Sequence, residues 1–265
     1  MTVLQILGIT GIISLVLSCF GFWMYVYFFS VGYGFSIAGI GIFFLVKFWP
    51  SLSVVEVAYA SLLTIYGLRL GLYIARRGMK NMHYKNLLKK ETKKNVPFFV
   101  KFSIWISVCL LYVCQAAPLS IRIVKDCPDD VLLYVGLGIS ALGIIIEYVA
   151  DMQKTIAKKT APDKFVKTGL YRIVRCPNYL GELLLWTGTF LSGLLVCSTV
   201  LEWSAVILGY VGIVYVMFSG ARRLELRQDR VYGEDPEYQE YSKKTPIILP
   251  LIPIYSVKKH KWLVA

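Results

Sequence analysis

The sequence predicts an all-α fold, a multi-pass membrane protein of about seven transmembrane helices. Three observations lead there. Of the 265 residues, 57% are hydrophobic and only 17% are charged, with a mean hydropathy of +0.61. A soluble globular domain carries about 25% charged residues, so this chain is too apolar to be one. The apolar residues gather in runs approaching the roughly 20 positions that carry a helix across a bilayer. The positive charge, finally, is confined to a few polar stretches between those runs.

Seven segments follow in order: 3–29, 33–49, 54–75, 98–118, 131–150, 179–200 and 203–219. The first lacks a basic leader and is longer than the apolar core of a cleaved signal, so it reads as a span. The second is closed by Pro50, and the third runs into the Arg76-Arg77 pair. Pro97, Pro128 and Pro177 stand before the fourth, fifth and sixth, as residues that break or open helices should. The seventh gives way to a long polar tail. No repeat or low-complexity stretch divides the chain, which is expected to form one domain over 1–265.

The charge tests this count. Of the 29 Lys and Arg residues, 24 fall in three regions. The loop after segment three holds Arg76, Arg77, Lys80, Lys85, Lys89, Lys90, Lys93 and Lys94. The loop after segment five holds Lys154, Lys158, Lys159, Lys164, Lys167, Arg172 and Arg175. The tail holds Arg222, Arg223, Arg227, Arg230, Lys243, Lys244, Lys258, Lys259 and Lys261. Seven spans put all three on one side, and positive residues favour the cytoplasm. The expected topology has the N-terminus outside or lumenal and the C-terminus cytoplasmic. The opposite loops hold Arg122, Lys125, Asp126, Asp129 and Asp130. The net charge of +13 is thus explained by topology, and no nucleic-acid partner is expected. The six cysteines form no CxxC pair and read as free thiols, and with only His83 and His260 no metal site is expected.

Four polar constellations remain. Glu147 and Asp151, with Gln153, stand at the inner end of segment five, one turn apart on one face. They read either as a solvated helix end or as hydrogen-bonding groups for a ligand. Arg172, Arg175, Asn178, Tyr179 and Glu182 lead into segment six. A helix start flanked by arginines suits an anion such as phosphate. Lipid headgroups would account for the arginines but not for Asn178 and Glu182. The tail carries Arg222, Glu225, Tyr238 and Tyr241 and ends in a Pro-punctuated apolar stretch, the composition of a segment folded back on the membrane. Tyr66, Arg69 and Tyr73 form a stripe in segment three. Arg69 should face the bundle interior, and Tyr66 reads as a proton donor or as a core hydrogen-bonding residue. Together these groups describe a cytoplasm-facing cavity for a charged cofactor, with apolar space beyond it.

At these residues the chain resembles the steroid 5-alpha-reductase superfamily, in its bacterial-type branch of membrane reductases. Four blocks carry the resemblance: Tyr66-x-x-Arg69-Leu-Gly with Arg76-Arg77; Glu147-x-x-x-Asp151-x-Gln153; Gly169-Leu-Tyr-Arg-x-x-Arg-x-Pro-Asn-Tyr-x-Gly-Glu182 with Trp186; and Glu225 followed by Tyr238-x-x-Tyr241-x-x-x-Thr-Pro-x-x-x-Pro250. The match covers 62–253, leaving 1–61 weakly matched and 254–265 as a basic tail. The resemblance implies a seven-helix bundle that binds NADPH from the cytoplasm and reduces a polarised carbon–carbon double bond in a lipid-like steroid, polyprenoid or enoyl substrate. It implies cofactor contacts for Arg69, Glu147, Asp151, Arg172, Arg175, Asn178, Tyr179, Glu182, Glu225, Tyr238 and Tyr241, and a catalytic role for Tyr66. The membrane would be the endoplasmic reticulum in a eukaryote and the inner membrane in a bacterium. Two positions depart from the pattern. Ser30 stands where the family has an acid before segment two, and Cys176 where it has a histidine. Two other readings stay open. Isoprenylcysteine and phospholipid methyltransferases, which use S-adenosylmethionine, share the Arg-x-Pro-x-Tyr-x-Gly turn. A non-catalytic cofactor- or lipid-binding relative would keep the site without the chemistry.

Overall fold

The computed structural model of the protein describes residues 1–80 and 96–264. Lys85, Lys89, Lys90, Lys93 and Lys94 of the basic loop, and His83, lie outside the described residues. Those described are mostly helical, with no strand among them. We number the helices α1 (Val3–Ser18), α2 (Val31–Phe48), α3 (Val54–Lys80), α4 (Phe98–Lys125), α5 (Val131–Thr160), α6 (Pro177–Gly193), α7 (Val200–Tyr232) and α8 (Pro236–Lys244). Among the described residues, six stretches are long and apolar enough to cross a membrane: Val3–Phe22, Tyr25–Phe48, Val54–Arg76, Phe98–Lys125, Val131–Thr160 and Val200–Tyr232. The protein is therefore a multi-pass, all-α membrane protein. The expected sixth span, α6, has 17 residues, at the short end of what spans a bilayer.

Several helix ends differ from those read in the sequence. The apolar run 3–29 is not one helix. The α-helix stops at Ser18 and two short 3-10 turns follow, at Cys19–Phe22 and Tyr25–Tyr27. The chain folds back there so tightly that a Cβ on Gly21 would meet the Phe28 ring. At the other ends, helices outrun their apolar runs: α4 continues to Lys125, α5 to Thr160 and α7 to Tyr232. Hydropathy marks where the bilayer stops, whereas the backbone ladder continues as long as its hydrogen bonds are met. Pro118 lies inside α4. Its ring is accommodated by Gly193, where a Cβ would come within 2.7 Å of the proline Cβ.

The chain divides into two compact units, each discontinuous in sequence. The first comprises Met1–Leu137 and Thr189–Tyr210. Here α1 packs on α2 and α4, and α2 on α3. The α2–α3 contact is backbone on backbone. A Cβ on Gly34 would lie 2.6 Å from Gly71 N, and one on Gly67 would lie 2.4 Å from Gly34 O. Such small-residue crossings are how helices associate in lipid. α1 shows the polarity expected of a membrane helix. Thr10, Ser14 and Ser18 are fully buried beside Ile6, while Leu4, Ile12 and Val16 face outward. Ser14 and Ser18 donate to the carbonyl four residues back, and Trp105 Nε1 donates to Ser18 Oγ at 3.0 Å.

One end of this unit is closed by charge. Arg122, placed in a loop by the sequence reading, sits in the last turns of α4 with no exposed surface. It pairs with Asp130 and donates to Pro128 O at 2.9 Å and Ser192 O at 3.2 Å. Lys125 reaches Glu202 at 2.7 Å and Val196 O at 2.9 Å. Burial pushes the Asp130 carboxyl up, but the Arg122 hydrogen bond, the Leu133 and Leu132 N–H groups and the guanidinium charge outweigh it and hold it below the usual carboxylate range.

The second unit comprises Gly138–Gly188 and Val211–Ala265. Its central feature is the crossing of α5 and α6 at two glycines. A Cβ on Gly143 would lie 2.4 Å from Gly181 O, and one on Gly181 would lie 2.5 Å from Gly143 O and 2.7 Å from Glu147 N. Ser140 Oγ donates to Leu185 O at 2.8 Å across the same crossing.

Candidate functional site

The glycine crossing sets the candidate site in the second unit. It brings the α5 turn bearing Glu147 against the first turns of α6, which carry Asn178, Tyr179 and Glu182. Glu147 is buried, while Asp151, Asn178, Tyr179 and Glu182 are partly exposed. Tyr179 packs against Gly220 of α7, and Asp151, Glu182, Cys176 and Arg223 all lie within electrostatic reach of its hydroxyl.

A fixed turn precedes α6. Gly169 takes a left-handed φ of +62°, and the space a Cβ would need there is filled by the Gln153 amide. Gln153 Oε1 accepts from Leu170 N at 2.9 Å, and Tyr241 Oη donates to Tyr171 O at 2.7 Å. Tyr171 is thereby held inside and Arg172 is left exposed. The turn presents an outward guanidinium from a rigid base.

Arg175 is different. It is buried, pairs with Glu225 at 3.0 Å and donates to Tyr255 O. Its Nε and Nη1 are buried with no hydrogen-bond partner among the described residues. The neighbouring backbone pairs with the tail: Arg175 N donates to Pro246 O at 2.8 Å and Cys176 N to Ile247 O at 2.9 Å. Burial pushes the Cys176 thiol up to about 12, so it stays a protonated, inert group.

The tail is clamped by two carboxylates one turn apart on α7. Glu225 Oε2 accepts from Val257 N at 2.9 Å, and Asp229 accepts from Tyr238 Oη at 2.9 Å and from Lys258 Nζ at 2.8 Å. Phe165 lies between Tyr238, Tyr241 and Tyr232, with ring centroids 5.3, 5.3 and 5.8 Å away. Burial, then the bond to Asp229, pushes the Tyr238 phenol up, and burial does the same at Tyr241. Both remain hydrogen-bond donors. Further along, Arg222 donates to Lys258 O, and Tyr215 to Trp262 O and Val264 O. Thus Glu225, Tyr238 and Tyr241 hold the tail in place through bonds to other protein groups. Phe165, Asp229 and Gln153's bond to Leu170 were not foreseen as a unit. The one signal was a phenylalanine alone in a lysine-rich loop, where an apolar side chain must be packed against something.

Tyr66 and Arg69 belong to the first unit. Tyr66 is fully buried and its hydroxyl donates to Tyr33 Oη at 3.5 Å. The Arg69 guanidinium sits 6.0 Å from the Tyr66 ring centroid. Tyr33 packs on Tyr112 at 5.1 Å, and Tyr112 donates to Phe28 O. Tyr59, two turns before Tyr66 on α3, donates to Thr189 at 3.5 Å. Ser30, where an acid was expected, donates to Val26 O at 2.9 Å.

No curated protein and no solved structure matches the chain. The model of a family described as "Protein of unknown function (DUF1295)" does match, over residues 23–245, a range that holds every candidate residue from Tyr66 to Tyr241. With that much of its length matched, the chain belongs to the DUF1295 family.

Proposed function

We propose that the protein is an NADPH-dependent membrane reductase of the steroid 5-alpha-reductase kind, acting on a polarised carbon–carbon double bond in a lipid-like substrate. The observation that carries this reading is the second unit's glycine crossing, which gathers Glu147, Asp151, Asn178 and Glu182 at the start of α6, after a pinned turn that presents Arg172. The family match covers residues 23–245, which hold the blocks that carry the resemblance to that superfamily from Tyr66 to Tyr241. The residues suit the cofactor: Arg172 is an exposed cation for phosphate, Asn178 and Glu182 offer an amide and a carboxylate, and Arg175 has buried N–H capacity to spare. NADPH, when bound, supplies a hydride. The chain's own part is to fix the ligand and to meet the charge that develops on the substrate. In the first unit Tyr66 is the group suited to donate a proton or hydrogen bond to a carbonyl oxygen as it becomes an enolate. Tyr33, whose hydroxyl accepts from Tyr66 at 3.5 Å, is the group that would support it, since Ser30 stands where the family has an acid.

The same reading puts the basic regions and the C-terminus on the cytoplasmic side, where NADPH is available, and has the substrate arrive from the bilayer. Calorimetric titration of the detergent-purified protein with NADPH, NADH and S-adenosylmethionine tests it. Tight NADPH binding supports the reductase. Binding of S-adenosylmethionine alone would instead place the protein with the membrane methyltransferases. A folded sample silent to all three would leave a non-catalytic relative.

A further inference from the structure

Midway along α4 in the first unit lies Gln115, 3% exposed. Neither its amide nitrogen nor its amide oxygen has a hydrogen-bond partner among the described residues. A buried primary amide left so is costly, because both its donor and its acceptor have been taken from water. α7 crosses α4 at this level through Gly209, whose Cβ, if present, would lie 2.3 Å from Cys114 O and 2.7 Å from Gln115 N. At Gly209 the crossing is made by bare backbone, and the α7 side chains that pack beside it, Ala205 and Val206, are apolar. Along α4, Gln115 is one turn beyond Tyr112, which packs on the Tyr33–Tyr66 pair, and two turns before buried Arg122. The Arg122 head is committed to Asp130, Pro128 O and Ser192 O. The amide thus sits within the membrane-spanning part of the unit, on a helix whose other buried polar groups have partners.

We propose that Gln115 is a specificity-determining residue that holds an uncharged hydroxyl group of a lipid ligand. The chemistry follows from the inventory of the site. An amide offers one acceptor oxygen and two donor hydrogens. A hydroxyl answers both, donating to Oε1 and accepting from Nε2. A ketone answers the nitrogen alone, and a hydrocarbon answers neither. A carboxylate or phosphate would bring a charge into a place whose cation is already neutralised by Asp130. The ligand class is therefore a neutral, alcohol-bearing lipid. Gln115 deepens the reductase reading by naming a polar handle on its substrate, separate from the double bond, and the binding site itself does not require that reading.

The test uses the full-length protein in nanodiscs, without nucleotide, and two matched probe sets: 5α-cholestan-3β-ol, 5α-cholestan-3-one and 5α-cholestane; and hexadecanol, 2-hexadecanone and hexadecane. Ligand-induced rise of the unfolding temperature and equilibrium binding are read for wild type and Gln115→Met, which keeps length and volume. In at least one set, wild type should rank alcohol above ketone above hydrocarbon. Gln115→Met should bind the alcohol about tenfold more weakly, the worth of one or two buried hydrogen bonds, and leave the hydrocarbon unchanged. The ligand-free variant should be as stable as wild type or more so, since an unpaired amide has been replaced by an apolar group. The proposal is overturned if neither set is ranked by its oxygen. It is equally overturned if Gln115→Met loses stability without ligand while keeping the alcohol preference, the result expected of an amide satisfied by an ordered water. Failure of NADPH to bind, with the alcohol preference intact, would sink the reductase reading and leave this one standing.

Discussion

Arg175 and Glu225 form an ion pair at 3.0 Å with side chains 1% and 3% exposed, joining the turn before α6 to the cytoplasm-proposed end of α7. Glu225 also accepts from Val257 N and Arg175 donates to Tyr255 O, so the pair fixes the tail as well. Removing one member leaves an uncompensated buried charge, which typically costs about 3–5 kcal/mol. Arg175→Met and Glu225→Leu should each lower the unfolding temperature sharply and open the region after 246 to protease. The double variant, with neither charge, should recover part of the loss. If the single variants melt like wild type and the tail stays protected, the pair is not what holds the tail.

The glycine crossing makes a steric prediction. At Gly143 and Gly181 the carbonyl of one helix occupies the space of a Cβ on the other, at 2.4 and 2.5 Å. Gly143→Leu must push α5 and α6 apart, moving Glu147 away from the start of α6. We expect a destabilisation of about 1–3 kcal/mol from overpacking, with nucleotide affinity lost as well. By contrast, Gly138→Leu, where a Cβ meets nothing within 4 Å, should be tolerated. Equal tolerance at both positions would show that the crossing does not build the site.

What could be read from the sequence follows from where the information lies. The spans, the helix-opening prolines at 97 and 177, and the motif leading into α6 are local, and the residues around them announce them. The buried state of Arg122 could not be read, because beside its near partners Asp130 and Pro128 O it depends on Ser192 O, 70 residues away. A basic residue near a span end looks the same whether it is solvated or paired. The break after Ser18 was hidden for a similar reason: hydropathy stays high through Phe29, and what ends the helix is a fold-back against Phe28. In the tail, the Tyr-x-x-Tyr spacing was visible, but its partners Tyr171, Asp229 and Phe165 come from three other stretches of chain. The glycines of the α5–α6 crossing were visible as residues, yet only the packing of two helices gives them a purpose.

For the cofactor, the exposed and half-exposed groups should behave differently from the clamps. Arg172→Ala, Asn178→Ala and Glu182→Ala should each reduce NADPH affinity by tenfold or more while leaving the unfolding temperature within a few degrees of wild type. A lost charge-assisted hydrogen bond is worth about 1.5–3 kcal/mol. Arg172→Ala should act on NADPH more than on a nicotinamide fragment, since its proposed partner is phosphate. Binding unchanged in all three variants would remove the site from this end of α6.

Acid should act through Asp130. Its carboxyl is held below its ordinary value of about 3.9, chiefly by Arg122 and two backbone N–H groups working against burial. A group with a depressed folded value contributes stability above its unfolded value and loses it as pH falls through the folded one. The stability gap between wild type and Asp130→Asn should therefore be widest at neutral pH and close below about pH 4. It is measured by thermal unfolding in detergent across pH 3 to 7. A gap that stays constant with pH would mean that the pair contributes shape rather than charge.

Tyr66 is buried against Tyr33 in the first unit, and its hydroxyl donates to Tyr33 Oη at 3.5 Å. A phenol serving only the core should matter to stability, whereas one that donates to a reacting oxygen should matter to rate. Tyr66→Phe removes one hydroxyl and keeps the ring, so the T-shaped contact with Tyr33 at 6.3 Å survives. On the reductase reading, turnover of an accepted enone substrate should fall by about 100-fold or more, in the range of general acid catalysis, with NADPH affinity nearly unchanged. Tyr33→Phe should lower turnover less, because it acts on the orientation of Tyr66 rather than on the substrate. Single-turnover rates for the two variants, read beside their unfolding temperatures, separate the roles. Equal rates with lowered stability would return Tyr66 to the core, as one member of an aromatic cluster with Tyr33 and Tyr112.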